Sequence, residues 1–165
     1  MGLFNLQEPT VFYSFDQKVP DWDFFIKHAN YAKNLGGNHF RVFNGYYFVV
    51  EVFEDEIQNT IHGYQDFYNQ INSNHDDGIM ARPVFLISYF NNIGNLGKHK
   101  DPTDQFFWNC IGNTIWDIEL ENGENMRYVL SPGDMIAIPA NTYHNVSSAT
   151  PRAGITFSSN RKADS

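Results

Sequence analysis

From Pro83 onward the chain is cut into short runs of β-branched and aromatic residues separated by turn-forming residues, and this pattern restricts the fold more than any other feature. It predicts strands at about 84–90, 104–111, 114–120, 126–130, 134–138, 143–147 and 153–158. Glu121-Asn122-Gly123-Glu124 and Ser131-Pro132-Gly133-Asp134 are turns between them, since Gly and Asn accept left-handed backbone and Pro presets φ. Many short strands with such turns imply a mainly β sandwich or barrel. Fifteen Phe and nine Tyr in 165 residues are ample to fill its interior.

The first half reads differently. Pro20-Asp21 followed by Trp22, Phe25, Ile26 and Ala29 predicts a capped amphipathic helix ending near Gly36-Gly37. A hairpin follows, His39 to Phe43 and Tyr46 to Val52 around Asn44-Gly45. Ile57, Ile61, Tyr64, Tyr68 and Ile71 share one face of a second predicted helix. No repeat or linker interrupts the chain, so residues 1–165 are expected to form one domain, with a helical and hairpin part at about 1–80 and a β core at about 84–158.

Charge and cysteine content narrow the function. A net charge of −8 without a Lys/Arg cluster argues against nucleic acid as a partner, because phosphates must be neutralised. The single cysteine, Cys110, excludes an intrachain disulfide framework and sits in an apolar run, as a buried core residue would. No secretory leader or membrane-length apolar run is visible, so a cytoplasmic location is expected.

The chemistry-bearing pattern is Gly97-Lys98-His99-Lys100-Asp101 together with Tyr143-His144-Asn145-Val146. In extended chain, residues two apart point to the same side, so His99 and Asp101 can face one metal ion. A neighbouring strand can bring His144 to the third corner. Two imidazoles and one carboxylate on one face of a metal leave positions open, the arrangement that non-haem ferrous oxygenases need. His75-Asp76-Asp77 has the same spacing but lies in the polar loop Ser73 to Gly78, and is taken as solvated. His28, His39 and His62 are taken as ordinary packing or surface histidines.

The context of these residues resembles a known superfamily. Gly133-Asp134-Met135-Ile136-Ala137-Ile138-Pro139-Ala140-Asn141-Thr142-Tyr143-His144 is similar to the second cupin motif, with Asn141 where Gly is usual. His99, Asp101, Phe106-Phe107-Trp108, Gly112 and Trp116 resemble the corresponding stretch of Jumonji-C-type hydroxylases. The likeness covers roughly residues 84–158. It implies a double-stranded β-helix (cupin/jelly-roll) with the N-terminal helices packed on the barrel. It also implies a ferrous iron, 2-oxoglutarate-dependent dioxygenase of the hydroxylase or demethylase type, with His99, Asp101 and His144 as metal ligands. The first cupin motif usually brings more histidines and a glutamate; Asp101 in their place points toward the oxygenase triad.

For 2-oxoglutarate, many Jumonji-type relatives use a lysine where Thr114 stands, which supplies no charge. The run from His144 to Phe157 resembles the end of prolyl-hydroxylase-type enzymes, in which an Arg opening the last strand pairs with the co-substrate carboxylate; here that is Arg152. Phe107 and Asn109, on the parity of Gln105, are expected to face the cavity, with Ser88 or Tyr89 on the opposite wall. A small molecule or a polypeptide is the expected substrate, and a homodimer is compatible with the fold. The competing reading is a metal-binding cupin without 2-oxoglutarate turnover, acting as a ligand-binding module or a metal-dependent enzyme of another kind.

Overall fold

Asp21 starts the helix α1 (Trp22–Leu35) by accepting the Phe24 N–H at 3.0 Å, and Gly36, at φ 72°, ends it. The computed structural model describes residues 6–15, 18–43, 46–50, 80–89 and 96–159. The buried face of α1 is Phe25, His28, Ala29 and Ala32, whereas Ile26 is exposed. His28 is a packing histidine: its Nδ1–H donates to Phe24 O, and its ring lies against Phe24 and Phe85. The predicted second helix and His75-Asp76-Asp77 lie outside the described residues.

The strands are β1 (Thr10–Phe12), β2 (Phe40–Phe43), β3 (Tyr46–Val50), β4 (Met80–Ser88), β5 (Asp104–Ile111), β6 (Thr114–Glu119), β7 (Asn125–Leu130), β8 (Met135–Ile138), β9 (Tyr143–Ser147) and β10 (Arg152–Ser159). Among the described residues they form a seven-stranded sheet in the order β1-β8-β5-β10-β4-β3-β2 and a three-stranded sheet in the order β7-β6-β9. Every pairing is antiparallel. From β5 to β10 the chain passes from the large sheet to the small one and back twice, through the paired strands β6 and β7 and then through β9, as in a double-stranded β-helix.

Most predicted strands appear within two residues of their expected ends. The exception is β4, which begins at Met80 and runs through Pro83. A proline cannot donate to a ladder, yet β4 lies between β10 and β3. The strand accommodates it at a register shift, where Val84 faces Thr156 but Ala81 faces Ser158. The hairpin is in the expected register, with Phe43 opposite Tyr46.

Two apolar layers hold the sheets. The outer face of the large sheet packs Phe85, Ile87, Phe106, Trp108, Cys110 and Ile155 against α1 residues Phe25, Ala29 and Ala32. Between the sheets lie Phe107, Trp116, Ile118, Leu130, Ile136 and Ile138. Because β5 is covered on both faces, its residues from Phe106 to Ile111 are apolar without alternation, broken only by Asn109. Among the described residues no helix is long and apolar enough to cross a membrane.

Candidate metal centre

Gly97, at φ 77°, turns the chain into the segment bearing His99 and Asp101. His99 forms an isolated antiparallel bridge with His144 of β9, which extends the small sheet by one residue pair. Asn141 holds the turn before β9 with φ 62°, the left-handed conformation expected of the residue in the usual Gly position. Its N–H donates to Asp101 O at 2.7 Å, so the two ligand-bearing segments are tied directly.

The three side chains converge. One potential ligand atom from each of His99, Asp101 and His144 lies within 4.8 Å of the others. Asp101 Oδ2 is 3.5 Å from His144 Nε2 and 3.9 Å from His99 Nε2. Each imidazole uses its other nitrogen on backbone: His99 Nδ1–H donates to Gly97 O at 2.8 Å, and His144 Nδ1–H to Thr142 O at 3.0 Å. A carbonyl can only accept, so both rings are held as Nδ1–H tautomers with the Nε2 lone pair facing inward. Backbone partners of this kind orient metal-binding histidines.

This donor set fits a divalent cation. Burial of His144 pushes its pKa below the usual histidine value, and His99 adds to this, while the Thr142 carbonyl and Asp101 act in the opposite sense. A neutral His144 presents a lone pair to a carboxylate at 3.5 Å, a contact that a cation held between them would relieve. Metal–ligand bonds of about 2.0–2.2 Å at right angles bring ligand atoms to roughly 3 Å. From the two carboxylate–imidazole distances of 3.5 and 3.9 Å, closing takes less than about 1 Å.

The triad opens into a cavity of about 260 Å³ between the sheets, whose walls include Val84, Leu86, Leu96, Gln105, Phe107, Thr114, Trp116, Val146, Arg152 and Thr156. Trp116 stacks on His144, with centroids 5.8 Å apart and planes at 28°, and Phe107 packs on Trp116 at 5.1 Å. Arg152 is buried in the same wall, and burial lowers its pKa to about 10, which still leaves it cationic at neutral pH.

The expected cavity residues divide. Phe107, Thr114 and Arg152 line it. Asn109 does not; it is fully buried behind the wall, and its Nδ2 donates to Gly112 O at 2.7 Å and Leu130 O at 3.4 Å. Both partners are carbonyls, so Oδ1 is the acceptor for the Thr114 hydroxyl at 3.4 Å. Thr114 Oγ1 in turn accepts from Trp116 Nε1–H at 3.0 Å. The bulge between Ala153 and Gly154 shifts the register, pairing Asn109 with Gly154 and Ile111 with Ala153. Ser88 and Tyr89 are not cavity walls either; Tyr89 is exposed and stacks on Trp22 at 5.4 Å.

Sequence reading missed Trp116 as a neighbour of His144, and also missed Ser158, which shares a hydrogen bond of 2.9 Å on the cavity wall with Gln105, whose parity had marked the cavity side of β5. Alternation along β6 carries the signal for Trp116, since Thr114, Trp116 and Ile118 are its buried positions.

The sequence matches no family model, and no curated protein matches it. Its fold does have solved counterparts. The Escherichia coli ribosomal oxygenase YcfD superposes with a TM-score of 0.65 at 14% identity, over 94% of this chain and 49% of that one. YcfD in complex with cobalt and 2-oxoglutarate gives 0.63 at 13% identity, with the same coverage. The coconut allergen cocosin gives 0.52 at 12% identity, over 77% of this chain and 30% of that one. The chain therefore spans about half the length of YcfD, and the likeness extends well beyond residues 84–158. At these identities the shared property is the fold.

Proposed function

We propose that this chain is a non-haem ferrous oxygenase of the hydroxylase or demethylase type that uses 2-oxoglutarate as co-substrate. The observation that carries this reading is the shared cavity of the His99, Asp101 and His144 triad and the buried cation Arg152. An apolar cavity with a metal-binding corner and one guanidinium suits a small keto acid with a distal carboxylate. That YcfD, in the same fold, has been seen with cobalt and 2-oxoglutarate supports the reading.

His99, Asp101 and His144 would hold the metal, which when bound supplies the oxidation of co-substrate and substrate by dioxygen. The residues do the rest. The Nδ1–H bonds to Gly97 O and Thr142 O keep both imidazoles aimed. Arg152 pairs with the distal carboxylate of the co-substrate. Phe107, Trp116, Val84 and Leu86 keep water from the cavity. The substrate is a small molecule or a polypeptide side chain reaching the partly exposed His99 and Asp101.

Thr114 favours a second reading, a metal-binding cupin that does not turn over 2-oxoglutarate. It stands where Jumonji-type relatives carry lysine, and its proton is committed to Asn109. Iron- and oxygen-dependent formation of succinate from 2-oxoglutarate decides between them. Metal bound without 2-oxoglutarate binding or succinate selects the second.

A further inference from the structure

The segment carrying two of the three candidate ligands is not a strand. Its backbone bonds to β9 and the preceding turn, among the described residues, are His99 N–H to His144 O at 3.0 Å, His144 N–H to His99 O at 2.8 Å and Asn141 N–H to Asp101 O at 2.7 Å. A single bridge is a weak hold on a site that needs sub-ångström placement.

The opposite face of this segment supplies a second hold. Alternation turns Lys98 and Lys100 away from His99 and Asp101, and Tyr143 away from His144. Lys98 Nζ lies 5.4 Å and Lys100 Nζ 5.1 Å from the centroid of the Tyr143 ring. Tyr143 pairs across the sheet with Glu119, and Lys98 also forms an ion pair with Glu119. Both cations thus reach across onto β9, and one continues to β6.

We infer that Tyr143 is a positioning residue of the metal centre: its ring, gripped by Lys98 and Lys100, clamps the 97–101 segment onto β9 and keeps His99 and Asp101 in register with His144. The inference rests on the metal-centre reading above. Tyr143 touches neither metal nor substrate; it acts through the backbone of the ligands. Cation–π attraction needs the ring and not the phenol hydroxyl, so phenylalanine preserves the clamp and serine removes it.

The 165-residue chain is titrated with cobalt(II), and the metal-free protein is digested briefly with trypsin, which cuts after Lys98 and Lys100. Tyr143→Ser is expected to weaken cobalt binding about tenfold, equivalent to about 1.4 kcal/mol, and to speed both cuts severalfold. Tyr143→Phe is expected to match wild type in both. A Ser variant with unchanged affinity and cleavage overturns the clamp, as does a Phe variant that falls as far as Ser. Should the Ser variant not fold, the pair Lys98→Gln/Lys100→Gln removes the cations instead, and unchanged cobalt affinity there overturns the clamp. Wild type that binds no cobalt refutes the metal centre, and the cleavage rates then decide the clamp alone.

Discussion

His99 and His144 hydrogen-bond to each other's backbone in both directions, and their rings lie 4.4 Å apart, centroid to centroid. Forty-five positions separate them in the chain, yet the bridge sets the two rings side by side. Replacing His144 by Ala should therefore abolish stoichiometric iron or cobalt binding, with at least a tenfold loss of affinity. Metal analysis of wild type and variant under metal-replete conditions checks this; equal contents would remove His144 from the site.

Acid should weaken the metal-free fold through His144. Its pKa is lowered in the folded chain, chiefly by burial. The unfolded chain therefore binds the proton more readily, and stability rises with pH across the interval between the lowered value and about 6.5. This contribution is complete above about 6.5 and is lost as pH falls through the folded value. Urea unfolding of the metal-free protein from pH 7.5 downward measures it, and His144→Phe should flatten the slope.

Arg152→Ala should weaken 2-oxoglutarate binding at least tenfold while metal content stays constant. Losing one partner of a buried charge pair costs roughly 2–5 kcal/mol. Lysine in its place should recover only part of the loss, because a point charge lacks the planar fork. Calorimetric titration with 2-oxoglutarate in the presence of manganese(II) is the measurement, and wild-type affinity in the Ala variant would show that the anchor lies elsewhere.

Thr114→Val should lower stability without changing 2-oxoglutarate affinity more than about threefold. The substitution leaves Trp116 Nε1–H and Asn109 Oδ1 without their partner in a buried place. Each buried group left unsatisfied costs about 1–3 kcal/mol. Thermal unfolding and the same titration separate the two effects; a stable variant that no longer binds 2-oxoglutarate would make Thr114 the anchor.

Gly154→Ala should destabilise the barrel. A methyl group there would meet Phe107 Cζ at 2.3 Å, Phe107 Cε2 at 2.6 Å and the Trp108 carbonyl oxygen at 2.7 Å. Overpacking of this kind costs about 1–3 kcal/mol. Adding Phe107→Leu should restore part of the loss, since one obstacle is a side chain and the other is backbone. Melting temperatures of the two single variants and the double variant test this, and strict additivity would refute the contact.

Local signals were legible where local physics decides. Asp21 caps α1 and Gly36 ends it because those residues answer to their own backbone neighbours. Turn residues and aromatic runs marked the strands for the same reason, and a two-residue period set His99 and Asp101 on one side. Pro83 misled because a register shift against β10 lets a strand run through it. What the chain alone left open was decided by contacts between distant segments. Asn109 has the parity of a cavity residue, but a shift between β5 and β10, and the carbonyls of Gly112 and Leu130, place it behind the wall. Hydrogen-bond direction at Thr114 depends on that amide, and the burial of the Arg152 guanidinium in the cavity wall depends on both sheets. Periodicity and turn chemistry act over a few residues, whereas register, burial and donor–acceptor polarity exist only once the sheets have closed.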